Sequence, residues 1–174
     1  MIREGLRKLI RKEDLREDEM AALVGEIMSG NATDAQIGAV MAALATKGET
    51  FSELAGAARA MRRKSSRIQT NAEVVVDTCG TGGDSLNTFN ISTTSAFVVA
   101  GCGVTVAKHG NRSVSSKCGS ADLLESLGVN LGVSPETVEE AVREIGVGFL
   151  FAPLFHGAMR HAAKARKELG VRSI

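Results

Sequence analysis

The chain has 174 residues, 44% of them apolar and 24% charged, with a net charge of +1. That balance suits one ordinary globular domain, or a small domain attached to part of a larger one, with enough apolar side chains for a real core. Near-neutral charge and the absence of Trp and Tyr exclude a broad polyanion surface or an aromatic stacking platform, so nucleic acid is not an expected partner and any anion site must be local.

The first third reads as helices. Ile2, Leu6, Leu9 and Ile10 recur at helical spacing, and so do Met20, Leu23, Val24, Ile27 and Met28. A break at Ser29-Gly30-Asn31 precedes a third helix, with Thr33 and Gln36 placed as a capping box and Gly48 as its stop. Thr50 or Ser52 caps a fourth, running to about Lys64. The basic run of Arg59, Arg62, Arg63, Lys64 and Arg67 lies at that helix's C-terminus, where the macrodipole favours cations, and reads as a solvated face.

Near Ser65 the pattern changes. The β-branched run 74–76 has the mark of a buried strand, and 91–100 suits a buried helix packed on a sheet. A second strand is expected at about 104–107. Ser120 is placed to cap a short helix, and Ser134 to cap an amphipathic one with Pro135 in its first turn. A third strand at 148–151 and a helix at 155–169 follow, and "GVRSI" reads as the start of a fourth strand. Alternating strands and helices make an α/β architecture with a mainly parallel sheet, here incomplete. The expected division is a small all-helical domain at 1–68 and the first part of a larger α/β domain at 69–174.

No apolar run approaches a membrane span, and the N-terminus lacks the apolar core of a signal peptide, so no membrane partner is expected. Cys79, Cys102 and Cys118 form no C-x-x-C spacing. Reduced thiols in a cytoplasmic protein are the plain inference, and a zinc site is not expected.

Ligands of a parallel α/β sheet bind at the carboxyl ends of its strands, where loops meet helix N-termini. "DTCGTGGDSLNTFNIST" occupies such a place. Gly80, Gly82 and Gly83 let backbone N–H groups approach an anion, and Asn90, Ser92 and Thr93 add side-chain donors at a helix start. The reading is a phosphate site, although glycine clusters also form tight turns with no ligand. The pattern G-x-x-x-x-G-K-[ST] is absent, and G-x-G-x-x-G fails because Ser85 replaces its last glycine. Asp84 is repulsive in an anion cradle unless it accepts ligand hydroxyls or acts through a metal, which points to a phosphorylated sugar or a phosphate with Mg²⁺. A second loop, "KHGNRSVSSKCGSAD", brings Lys108, His109, Arg112 and Lys117 among serines, suiting a ligand with more than one phosphate. No Ser/His/Asp or Cys/His constellation is readable, and His156 and His161 are not spaced as a metal pair.

"GTGGD", "NIST", "KHGNR" and "SSKCGSADLLESLG", in this order and spacing, resemble the anthranilate phosphoribosyltransferase family of tryptophan biosynthesis. The likeness extends over the whole chain. It implies a nucleoside phosphorylase/phosphoribosyltransferase-like fold, a homodimer formed through the helical domain, and transfer of a phosphoribosyl group from 5-phosphoribosyl pyrophosphate (PRPP) to the amine of anthranilate with Mg²⁺ assistance. The matching positions imply that Gly80, Gly83, Asp84, Thr88, Asn90, Ile91, Ser92 and Thr93 hold PRPP, with Ser92 on one Mg²⁺. Lys108, His109, Gly110, Asn111, Arg112, Ser113, Val114, Ser115 and Ser116 form a loop over PRPP, with Ser120 nearby. Gly80, Asn111 and Arg166 contact anthranilate. Lys108 and Arg112 stabilise the departing pyrophosphate, and His109 is a site wall rather than a base. The family's acidic Asp-Glu pair for a second metal belongs to sequence beyond this half, so the chain alone is expected to lack turnover. A pyrimidine nucleoside phosphorylase and a non-catalytic nucleic-acid-binding paralogue are the alternatives.

Overall fold

The computed structural model describes residues 1–80, 89–113 and 118–170. These divide into two compact units, one of 1–65 together with the segment from His156 onward, the other of 66–155.

In the first unit, α1 (Ile2–Ile10), α2 (Glu17–Met28), α3 (Asp34–Lys47) and α4 (Phe51–Lys64) follow the apolar periodicity of the sequence. The predicted capping box is present: Gln36 N donates to Thr33 Oγ1 at 3.2 Å and Thr33 N to Gln36 Oε1 at 3.0 Å. Thr50, rather than Ser52, caps α4, accepting from Glu53 N at 3.3 Å. Met20, Leu23, Val24 and Ile27 of α2 bury against Ile37, Val40, Met41 and Leu44 of α3 and Ala57 and Ala60 of α4. A Cβ at Gly56 would lie 2.3 Å from the Glu17 carbonyl oxygen, so only glycine lets α4 approach α2 this closely. Arg59 of the basic run ion-pairs with Glu17 of α2.

One carboxylate ties this unit's loops together. Glu53 is fully buried, and its Oε1 accepts from Leu15 N at 3.0 Å. Its Oε2 accepts from Thr50 N at 2.8 Å and Lys47 Nζ at 2.9 Å. Burial alone would raise the Glu53 carboxyl, but the backbone donors and the Lys47 ammonium outweigh it and hold it below its ordinary range. Glu53 therefore joins the loop before α2 to the loop before α4.

In the second unit, β1 (Val75–Val76), β2 (Thr105–Gly110) and β3 (Val147–Phe151) form a parallel sheet in that order. Val76 pairs with Val106, and Val106 with Val147. Parallel neighbours need crossover connections. α5 (Ile91–Gly101) supplies the first, and α6 (Ser120–Ser126) with α7 (Pro135–Ile145) the second. Ser134 caps α7 as expected, accepting from Thr137 N at 3.4 Å. Gly148 packs against Val138 and Val142 of α7, where a Cβ would come within 2.6 Å.

Several sequence expectations are corrected here. The run 74–76 is not a buried strand: Val74 and Val75 are exposed, and among the described residues only two of its residues pair and β1 has a single strand neighbour. α5 is not buried all round, since only Thr93 and Ala96 are covered while Ile91, Phe97 and Val98 are exposed. β2 runs three residues further than expected and takes Lys108 and His109 into the strand. Gly119, not Ser120, is the N-cap of α6, and Asp122 takes over the capping through Gly119 N at 2.8 Å. The helix expected over 155–169 is broken into α8 (Ala152–Phe155), a 3₁₀ turn (Gly157–Met159) and α9 (Arg160–Leu169). α9 joins the helical unit rather than the sheet: Ala162 and Ala165 enter the α2–α3 core, and Lys164 pairs with Asp34 at 2.8 Å. The strand start expected at 171–174 lies outside the described residues.

Candidate functional site

The carboxyl ends of β1 and β2 and the start of α5 meet at one edge of the sheet. Thr78 Oγ1, just past β1, donates to the Ser92 carbonyl in the first turn of α5 at 2.7 Å. Asn90, the residue before α5, does not cap it with its side chain. Its Nδ2 donates instead to the Cys118 carbonyl at 3.1 Å, tying the helix start to the second loop. Among the described residues the first turn of α5 has no N-cap side chain bonded to it, the condition under which a helix N-terminus receives an anion.

Lys108 is the charged centre of this arrangement. It is 3% exposed on β2, and its ammonium donates to Ser92 Oγ at 3.3 Å and to the His109 carbonyl at 3.4 Å. Burial pushes its pKa below the ordinary lysine value, with Asp77 and Cys79 opposing that shift. Asp77 Oδ1 accepts from Cys79 N at 2.9 Å and His109 N at 3.3 Å, locking the exit of β1 to β2. Thr93 is buried, and among the described residues its hydroxyl has no hydrogen-bond partner. It borders a cavity of about 340 Å³ that Phe97, Lys108, Leu124, Val138 and Phe149 also line.

The second loop closes back on α6. A Cβ at Gly110 would lie 2.1 Å from Ser120 Oγ, so the glycine admits the serine, which donates to the Asn111 carbonyl at 3.3 Å. Asp122 accepts from Ser113 N at 2.9 Å, and these backbone donors, with Gly119 N and then Arg112, hold its carboxyl below the usual range. Arg112 reaches Glu125 through both terminal nitrogens, at 2.7 and 3.0 Å, and Asp122 at 3.2 Å. Its guanidinium also lies over Phe151, 5.7 Å from the ring centre. The Glu125 and Asp122 carboxylates raise its pKa further above the ordinary arginine value.

The structure therefore brings together Asn90, Ile91, Ser92, Thr93, Lys108 and His109, with Gly110, Asn111, Arg112, Ser113 and Ser120 along the adjoining loop. Gly80 is exposed, and among the described residues nothing would meet a Cβ placed there. Arg166 is an exposed residue of α9, in the helical unit. Gly83, Asp84, Thr88, Val114, Ser115 and Ser116 lie outside the described residues. Sequence reasoning missed the roles of Asp77, Thr78, Asp122 and Glu125. Asp77 had a signal, an acid directly after a β-branched run; Asp122 had another, three residues past a glycine N-cap.

Among the described residues, no helix is long and apolar enough to cross a membrane. Residues 3–65 match the glycosyl transferase family's helical bundle domain, and residues 72–174 its a/b domain. The whole chain is 75% identical to an anthranilate phosphoribosyltransferase of Syntrophobacter fumaroxidans and 71% identical to one of Desulfosudis oleivorans, covering 52% and 51% of those proteins. The chain thus spans about half the length of the curated relatives it matches. Among solved structures, an anthranilate phosphoribosyltransferase of Thermus thermophilus aligns over 97% of this chain and 51% of its own, with TM-score 0.88 and 46% identity. The Saccharomyces cerevisiae enzyme in complex with PRPP and Mg aligns over 99% of this chain and 52% of its own, with TM-score 0.89 and 29% identity. With its helical bundle and a/b domains both matched, the chain belongs to the glycosyl transferase family.

Proposed function

We propose that the chain supplies the PRPP-binding part of an anthranilate phosphoribosyltransferase. The reaction joins the phosphoribosyl group of PRPP to the amine of anthranilate, giving N-(5'-phosphoribosyl)anthranilate and pyrophosphate in tryptophan biosynthesis. The observation that carries this reading is the uncapped start of α5 with the buried Lys108 ammonium against Ser92 Oγ. The positive end of α5 and one fixed cation meet at Ser92, which suits a multiply charged phosphate ester. The identity of 75% to a curated enzyme of this activity supports it independently.

In this reading Asn90, Ile91, Ser92 and Thr93 hold PRPP with Gly80, Gly83, Asp84 and Thr88. Lys108 and Arg112 draw charge from the departing pyrophosphate, and His109 walls the site. Gly110, Asn111, Ser113, Val114, Ser115, Ser116 and Ser120 complete the loop over PRPP. Asn111 and Gly80 border anthranilate, and Arg166 pairs with its carboxylate. The aniline nitrogen is already neutral at pH 7, so positioning matters more than a base. Ser92 is the residue that would hold Mg²⁺, because its hydroxyl at the start of α5 is a hard oxygen donor of the kind that ion takes. When bound, Mg²⁺ would supply neutralisation of the charge developing on pyrophosphate. The helical unit forms a homodimer, and the protein works in the cytoplasm.

Calorimetric titration of PRPP with Mg²⁺ into the chain tests the reading. Lys108→Ala is expected to weaken binding about tenfold, the worth of one charge-assisted hydrogen bond, with the circular dichroism spectrum unchanged. No PRPP binding by the parent chain overturns the proposal. Loss of anthranilate fluorescence then reports turnover, which is expected of the whole protein and not of these 174 residues alone.

A further inference from the structure

Asp77 and Cys79 follow β1, and His109 is the penultimate residue of β2. Because the two strands run parallel and adjacent, their carboxyl ends reach the same edge of the sheet. A carboxylate oxygen, a thiol sulfur and an imidazole nitrogen of these three residues all lie within 4.8 Å of one another. The juxtaposition is built by the backbone: Asp77 Oδ1 accepts from both Cys79 N and His109 N, fixing the loop against the strand. Asp77 and Cys79 are both exposed, so their side chains are open to an ion arriving from solvent.

We propose that Asp77, Cys79 and His109 form a site for a thiophilic divalent cation of the Zn²⁺ and Co²⁺ class. The proposal does not rest on the reading of the PRPP site. One sulfur, one nitrogen and one oxygen donor make a borderline-soft set that selects such ions and rejects Mg²⁺, which demands oxygen ligands. Three protein ligands with a fourth position for water is the pattern of an open tetrahedral site. With bonds of about 2.0–2.3 Å, tetrahedral ligand atoms sit roughly 3.5 Å apart. The three atoms need to close by about 1 Å, which side-chain rotation of the exposed Cys79 supplies while Asp77 keeps its backbone donors. On binding, Cys79 gives its proton to solvent and the cation takes the place between sulfur and oxygen. Thiolate and carboxylate then balance the charge of the ion. Among the described residues, the exposed thiols Cys102 and Cys118 belong to no such group of ligand atoms.

Optical titration of Co²⁺ into the reduced chain tests this directly. The expected result is one equivalent bound, with a thiolate-to-cobalt charge-transfer band in the near ultraviolet and intense visible bands of tetrahedral coordination. Zn²⁺ displaces the cobalt, and a large excess of Mg²⁺ does not. Cys79→Ser removes the charge-transfer band, His109→Ala weakens binding at least tenfold, and Cys102→Ser and Cys118→Ser leave both unchanged. Circular dichroism checks that each variant is folded. No cobalt uptake, a spectrum lacking the thiolate band, or a band that survives Cys79→Ser overturns the proposal.

Discussion

The helical unit and the α/β unit divide the chain's work unequally. The helical unit has a continuous core drawn from five helices, with Leu9, Met20, Leu23, Ile37 and Leu44 almost fully buried. Among the described residues the α/β unit has two small clusters, one around Ala121, Leu124 and Leu131 and one around Val138, Val142 and Phe155. It also exposes Val74, Phe89, Ile91, Phe97, Val98 and Ile145. Yet the polar groups with a chemical reading gather there. Packing density and chemistry are thus separated: one unit is ordered by its core, the other by hydrogen bonds among strand ends, helix starts and loops.

The largest effect that sharpens this contrast lies at Glu53. Glu53→Ala leaves the Lys47 ammonium and two backbone donors without their buried acceptor and is expected to cost about 3–5 kcal/mol. Thermal unfolding followed by far-ultraviolet circular dichroism measures it, as the chain has no Trp or Tyr to report by fluorescence. The pH dependence has a definite sign. Glu53's folded pKa is depressed below its ordinary value of 4.5, so its stabilising contribution is present above that value and is lost as pH falls through the folded pKa. The stability gap between the parent and Glu53→Gln is expected to narrow in that acidic range. A gap independent of pH would show that shape, not charge, is what matters at this position.

A smaller effect is expected at Gly56, where α4 crosses α2. Gly56→Ala gains about 1 kcal/mol of helix propensity in an open helix. Here its methyl meets the Glu17 carbonyl and Met20 Cβ, the latter at 3.0 Å, and overpacking costs about 1–3 kcal/mol. Net destabilisation is expected in a denaturant titration; stabilisation would mean that the two helices separate freely at this crossing.

The sequence made these helices legible because their signals are local. Apolar spacing, the Thr33–Gln36 box and the Ser134–Pro135 start all act within one turn of chain. The three strands were legible for the same reason. What was not legible depends on neighbours distant in sequence. Nothing within α9 says that Ala162 and Ala165 pack on α3 rather than on the sheet. Burial of 74–76 and of α5 was read from residue type, but burial is settled by what covers a face. Asp122 was invisible as a loop organiser because its partners, Ser113 N and Arg112, are set by how the loop folds back. The placement of Lys108 on a strand, with its charge turned to Ser92, likewise needed the β2–β3 register.

The smallest expected effect is on the α/β side of the contrast. Val98 belongs to an apolar helix by sequence, but it is 60% exposed on α5. Val98→Lys places a long, well-hydrated side chain there, and lysine is slightly the better helix former. Substitution at so open a position is expected to change stability by no more than about 0.5 kcal/mol. The same change at Leu44, 1% exposed in the helical core, would bury an unpaired charge and prevent folding. Thermal unfolding of Val98→Lys alone decides the point. A loss well above that bound would mean that α5 is covered in solution, and the asymmetry between the two units would then reflect a missing neighbour rather than a weakly packed fold.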